Sequence, residues 1–205
     1  MIPTIPPHLD VTPYAEVRPT LLPGDLLAVG GRLPWTWRLS GTGLARRGIQ
    51  RAQGLYGHWC WHVGLAVPWE TRWMLIEQTM PHTTASPISW HVPEAAGGHL
   101  RGDAAGGLYL YRYEGIDLKR LAHRAVEEYV LRLPYAVEDL AGALCRKLHL
   151  PWPLRNSPRR LVCSDWAGRR LAEAGALIDL SDNGLLYSPH DLIETPCAAL
   201  VARLR

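Results

Sequence analysis

Residues 58–67 alternate. Trp59, Trp61, Val63, Leu65 and Val67 fall on one parity and are all apolar, whereas His58, Cys60, His62, Gly64 and Ala66 fall on the other and are polar or small. A period of two predicts a strand with one buried face. Residues 73–80 read as a second strand, joined to the first as a hairpin through 68–72. A turn at Pro23-Gly24-Asp25 precedes a short apolar run, 26–29, which predicts a strand. Further strands are expected at 88–92, at 108–113 and at 198–204.

Elsewhere the period becomes helical. Leu118, Leu121, Ala122, Ala125, Val126, Tyr129 and Val130 share one face, with Asp117 placed to cap the start and Pro134 to stop the pattern. Helices are also expected at 135–148 and at 161–174, the latter ended by Gly175. Ser188-Pro189 is a cap followed by a first-turn proline, opening a short helix through Glu194. A short helix at 44–53 and a glycine-rich loop at 93–107 complete the pattern, with a proline-rich connection at 151–158. Strands mostly precede helices, which argues for an α+β fold. The first twenty residues are proline-rich and aperiodic. They predict an N-terminal arm, 1–20, able to dock on the domain or on a protein partner, ahead of a single domain spanning 21–205.

With 205 residues the chain can bury one substantial core. It has no apolar run long enough to span a membrane as a helix. The start, with four prolines in residues 1–13 and no basic or apolar stretch, does not read as a secretory signal. The chain is therefore expected in the cytoplasm at synthesis, with its four cysteines reduced. A formal charge of +3 is too small to argue for nucleic acid, and no nucleic-acid motif accompanies the arginine clusters at 46/47/51, 155/159/160 and 169/170.

Position separates the cysteines. Cys163 lies where a loop becomes a helix, and a thiol there faces the positive end of the helix dipole and unpaired N–H groups. Both favour thiolate, and the same N–H groups can hold an oxyanion. The plain alternative is a small buried residue in a first turn. His62, opposite the apolar stripe of its strand, is a candidate base. The small Gly64 and Ala66 on its face are expected to let a helix approach closely. Glu77, flanked by apolar residues in the next strand, is placed to orient the imidazole across the hairpin. The alternatives are a surface His and a surface Glu.

The order of these motifs resembles a known family. Gly24-Asp25-Leu26, then His62-Val63-Gly64, then a strand-borne Glu77, then Cys163-Ser164 opening a helix, then Ser188-Pro189-His190-Asp191-Leu192 is similar to the circularly permuted, papain-like NlpC-type cysteine hydrolases of the YiiX/YaeF kind, over residues 22–204. The resemblance implies Cys163 as nucleophile, His62 as base and then acid, Glu77 as the third member, and an amide-cleaving reaction without cofactor or metal. Its implied substrate is a peptide or acyl-amide, with cell-wall peptidoglycan as the class. Such an enzyme without a signal would act from inside the cell, leave by lysis or ride in a virion. Relatives carry a small residue where Trp61 precedes His62.

Other readings compete. The same fold serves lipid-directed acyl hydrolases or acyltransferases, and it can serve as a non-catalytic assembly protein, for instance in a phage particle. His58, Cys60 and His62 alternate on one strand face, and with His82 or His91 they would make four zinc ligands, although the spacing matches no common motif. Cys145 and Cys197 read as packing residues. Tyr56, His58 and Gln78 are candidates for a second oxyanion donor.

Overall fold

The computed structural model describes residues 11–30, 60–79, 81–92, 108–136, 161–178 and 188–204. Among these residues seven strands form one sheet: β1 (Val11–Thr12), β2 (Leu26–Gly30), β3 (Cys60–Trp69), β4 (Arg72–Gln78), β5 (Thr83–Pro87), β6 (Leu108–Tyr113) and β7 (Ala198–Leu204). Their order across the sheet is β1-β7-β6-β2-β3-β4-β5. All pairs are antiparallel except β1 with β7. The α-helices are α1 (Tyr14–Val17), α2 (Leu118–Leu131), α3 (Cys163–Glu173) and α4 (Pro189–Ile193). This is the mixed α+β architecture expected.

The sheet is covered on both faces. On one, Leu26, Val63, Leu65, Val67, Ile76 and Tyr111 pack against Leu121 and Ala125 of α2, Trp166 and Leu171 of α3, and Leu192 of α4. On the other, Leu27, Val29, Ala66, Leu75 and Leu110 pack against Val17, Leu21, Ile88 and Val92. The central strand β2 is therefore buried at all five positions, which is why its sequence is continuously apolar rather than alternating. Residues 11–20, expected to be an aperiodic lead-in, instead carry β1, α1 and a 3-10 turn at Arg18–Thr20. Their apolar positions supply part of the second core layer.

Gly24 has φ of 92°, and a side chain there would run into Leu121. The turn places Asp25, which is wholly buried, to accept two 2.8 Å bonds from the Arg112 guanidinium on β6 and a third from the Leu22 N–H. The β3–β4 hairpin closes through Glu70 and Thr71, with Glu70 at φ of 53°. Asp117 caps α2 by accepting from the Arg120 N–H, and Arg132 in the left-handed region ends that helix. Ser188 and Asp191 form a reciprocal capping box on α4.

Three expectations are corrected. Residues 88–92 do not form a strand; Ile88–Trp90 is a 3-10 turn following Pro87. The strand lies earlier, at β5, whose Thr-Thr-Ala-Ser-Pro sequence has no apolar alternation and forms because β4 offers it an edge. The helix expected from 161 begins at Cys163, because Leu161 bridges Tyr135 and Val162 is extended. Tyr135 is accordingly not the start of a helix. The remainder of the 135–148 expectation, the 44–53 helix, the 93–107 loop and the 151–158 connection lie outside the described residues.

Candidate functional site

The register of β3 decides where His62 points. Val29 pairs with His62 but Gly30 pairs with Cys60, so Trp61 is an extra residue, a β-bulge. The bulge resets the alternation. Cys60 joins the Val63/Leu65 side of the sheet rather than the side of His62, and its thiol donates to the His62 carbonyl at 3.4 Å. The expectation that Cys60 and His62 share a face therefore fails.

Glu77 pairs with Gly64, so it stands diagonal to His62 across the hairpin. The His62 Nε2 and a Glu77 carboxylate oxygen are 2.5 Å apart, and each side chain is 13% exposed. Gly64 makes this possible. A Cβ there would lie 2.6 Å from a Leu75 methyl and 3.1 Å from the Glu77 Cβ. The glycine thus gives room to the neighbouring strand: the atoms nearest that Cβ belong to Leu75, Ile76 and Glu77.

Cys163 is the first residue of α3, preceded by Val162 in extended conformation. It is buried, at 6% exposure, and close enough to the His62 ring to bear on its charge. The three predicted side chains are therefore brought into one neighbourhood, with Glu77 and Cys163 both acting on the imidazole. Burial pulls the His62 pKa down, but the charge and hydrogen bond of Cys163, followed by those of Glu77, outweigh it and raise the pKa to about 10. Burial pushes the Cys60 thiol strongly up, which keeps it neutral.

The first turn of α3 is fixed from behind. Trp166 is fully buried, and its indole N–H donates to Glu128 of α2 at 2.6 Å. Arg170, one turn on, lies 3.4 Å from the same carboxylate and 2.6 Å from Glu173. Arg169 contacts Asp165. The 169/170 arginines are thus engaged in ion pairs within the protein. Sequence reasoning did not find the Glu128–Trp166 anchor. Its only sign was an acidic residue next to the apolar face of α2.

Gln78, a candidate oxyanion donor, is buried and holds the β4–β5 connection instead, donating to the Leu133 carbonyl and accepting from Thr83. Tyr56, His58 and Cys145 lie outside the described residues. Cys197 is half-buried, with its thiol 3.7 Å from the Thr195 hydroxyl.

No family model matches the sequence, and no curated protein does. Among solved structures, the chain is similar to the crystal structure of the metalloprotein yiiX from Escherichia coli O157:H7, DUF1105. The TM-score is 0.53 at 18% identity, covering 89% of this chain and 97% of that one. At that identity the likeness shows the fold.

Among the described residues no three His, Cys, Asp or Glu side chains converge to hold an ion. Cys60 is turned to a backbone carbonyl, His82 Nδ1 lies 2.9 Å from the Thr83 carbonyl, and His91 Nε2 lies 2.7 Å from the Ser86 hydroxyl. These donors do not fit a metal centre, and the zinc alternative has no site among them.

Proposed function

We propose that this chain is a cysteine hydrolase of the permuted papain-like type, cleaving an amide bond with Cys163 as nucleophile, His62 as base and acid, and Glu77 as the orienting carboxylate. One observation carries the reading: a largely buried imidazole with a carboxylate at 2.5 Å and, bearing on its charge, a thiol at a helix start. A merely structural histidine does not need both partners.

The chemistry follows from the order of the groups. The proton of Cys163 passes to His62, and the imidazolium is stabilised by Glu77. Sulfur attacks the substrate carbonyl, and the oxyanion lies at the amino end of α3, where the Cys163 N–H is an unpaired donor. His62 returns the proton to the leaving amine as the C–N bond breaks, leaving a thioester. Water, deprotonated by His62, then releases the acid and restores the thiol.

The resemblance of the motif order, from Gly24-Asp25-Leu26 to the Ser188–Leu192 segment, points to a cell-wall peptide as the substrate class. The test is incubation of the protein with purified peptidoglycan and mass spectrometry of the released peptides. Wild type should release amine-terminated fragments, and Cys163→Ala should release none while keeping its thermal melt. Full release by Cys163→Ala would overturn the assignment.

A further inference from the structure

The outer margin of the sheet carries a feature that the triad does not use. Among the described residues β5 is the last strand on its side. The Thr83 N–H turns away from β4 and donates to the Leu133 carbonyl at 3.0 Å, and His82 and Pro134 form an antiparallel bridge. Residues 133–134 are thus the stub of an eighth strand. Backbone groups alternate in direction along a strand, so the N–H and C=O of Ala85 also point outward. Among the described residues no backbone group meets them.

A cleft of about 350 Å³ lies between this strand and the last turn of α2, lined by Thr84, Ala85, Tyr129 and Val130, with His82 and Arg132 also on its wall. Val130 is 67% exposed. Arg132 is exposed and has no carboxylate partner among the described residues. A ladder edge, a cleft for one side chain and a cation are what strand addition requires: backbone bonds supply affinity, and the cleft and charge supply selection.

We propose that β5 and this cleft bind an extended peptide bearing a carboxylate, laid as an added strand along Ala85, with one apolar side chain in the cleft and the carboxylate on Arg132. This deepens the amide-hydrolase reading by assigning the place where a peptide substrate is held, and it rests on that reading only for cleavage. Two strand spacings, about 10 Å, separate β5 from the His62 strand. About three extended residues cover that distance.

The test is fluorescence anisotropy of a fluorescein-labelled hexapeptide of alternating Val and Thr ending in Glu, titrated with the Cys163→Ala protein. Saturable binding is expected. It should weaken at least tenfold with Arg132→Asn, since asparagine tolerates the left-handed backbone there, and with Val130→Asp, which charges the cleft wall from an exposed helix position. The same peptide ending in Lys should bind more weakly. Thermal melts check that both variants fold. Absence of saturable binding up to about 1 mM would overturn the proposal. So would equal binding by all variants, or a dimer through β5 that leaves the peptide no edge. Lost cleavage with intact binding counts against the hydrolase reading, and lost binding with intact cleavage counts against this one.

Discussion

Glu77 reaches His62 diagonally across the hairpin, past a position that has no side chain. Together with Cys163, the larger influence, it raises the basicity of the imidazole. Because the folded value lies above the free-imidazole value of about 6.5, the charged pair contributes stability that is complete below about pH 6.5. It is lost as pH rises through about 10. Activity should fall over the same alkaline range. Glu77→Gln removes one of the groups that raise His62. It should therefore move the alkaline limb of kcat/KM to lower pH and lower the rate about 10²-fold. An unchanged limb in the pH–rate profile would show that Glu77 does not act on the ring. That His62, Glu77 and Cys163 share one neighbourhood was legible in the sequence, from a His on the polar parity of a strand, a Glu between apolar neighbours and a Cys where a loop becomes a helix. Glu128 was not, since nothing in an isolated helix pattern tells a buried carboxylate with an indole partner from a solvated one.

At the scale of elements, alternation located β3, β4 and β6, and helical spacing with caps located α2 and α4. The face of β3 was misjudged. Counting parity through Trp61 puts Cys60 with His62, but the bulge resets the count and Cys60 joins the Val63/Leu65 side. A bulge leaves no mark in a hydrophobic pattern. β5 was missed for a related reason: an edge strand of small and hydroxylated residues is specified by its partner, not by its own period. The role of Gly64 is testable. Gly64→Ala would force its Cβ against Leu75 and the Ile76 carbonyl, at 2.6 and 2.9 Å, and against Glu77. It should destabilise the protein by about 1–3 kcal/mol in a denaturant titration and lower activity further than its stability loss accounts for. A neutral Gly64→Ala would mean that β4 has slack, and that the carboxylate is positioned by something else.

For the molecule as a whole, both faces of one sheet are covered, and the second face is completed by the segment before β2. Val17 and Leu21 are buried there beside Leu27, Ile88 and Leu110, and the Arg112–Asp25 pair also ties in the Thr20 carbonyl. Deleting residues 1–20 should therefore expose apolar surface and lower the melting temperature by several degrees or more, measured by scanning calorimetry. A truncated chain that melts like the full chain would identify 1–20 as a dispensable arm. The α+β class was legible from the order of periods along the chain. The covering of the second face was not, because Val17 and Leu21 are isolated apolar positions in a proline-rich stretch without a period.

The central claim is that one thiol of this chain is made reactive by its partnership with His62. Iodoacetamide labelling of the folded protein, followed by peptide mapping over time, tests it directly. Cys163 should be alkylated at least tenfold faster than Cys60 and Cys197, and His62→Ala should abolish that advantage while the protein still melts cooperatively. Equal labelling of all the cysteines, or a Cys163 rate indifferent to His62, would contradict the account.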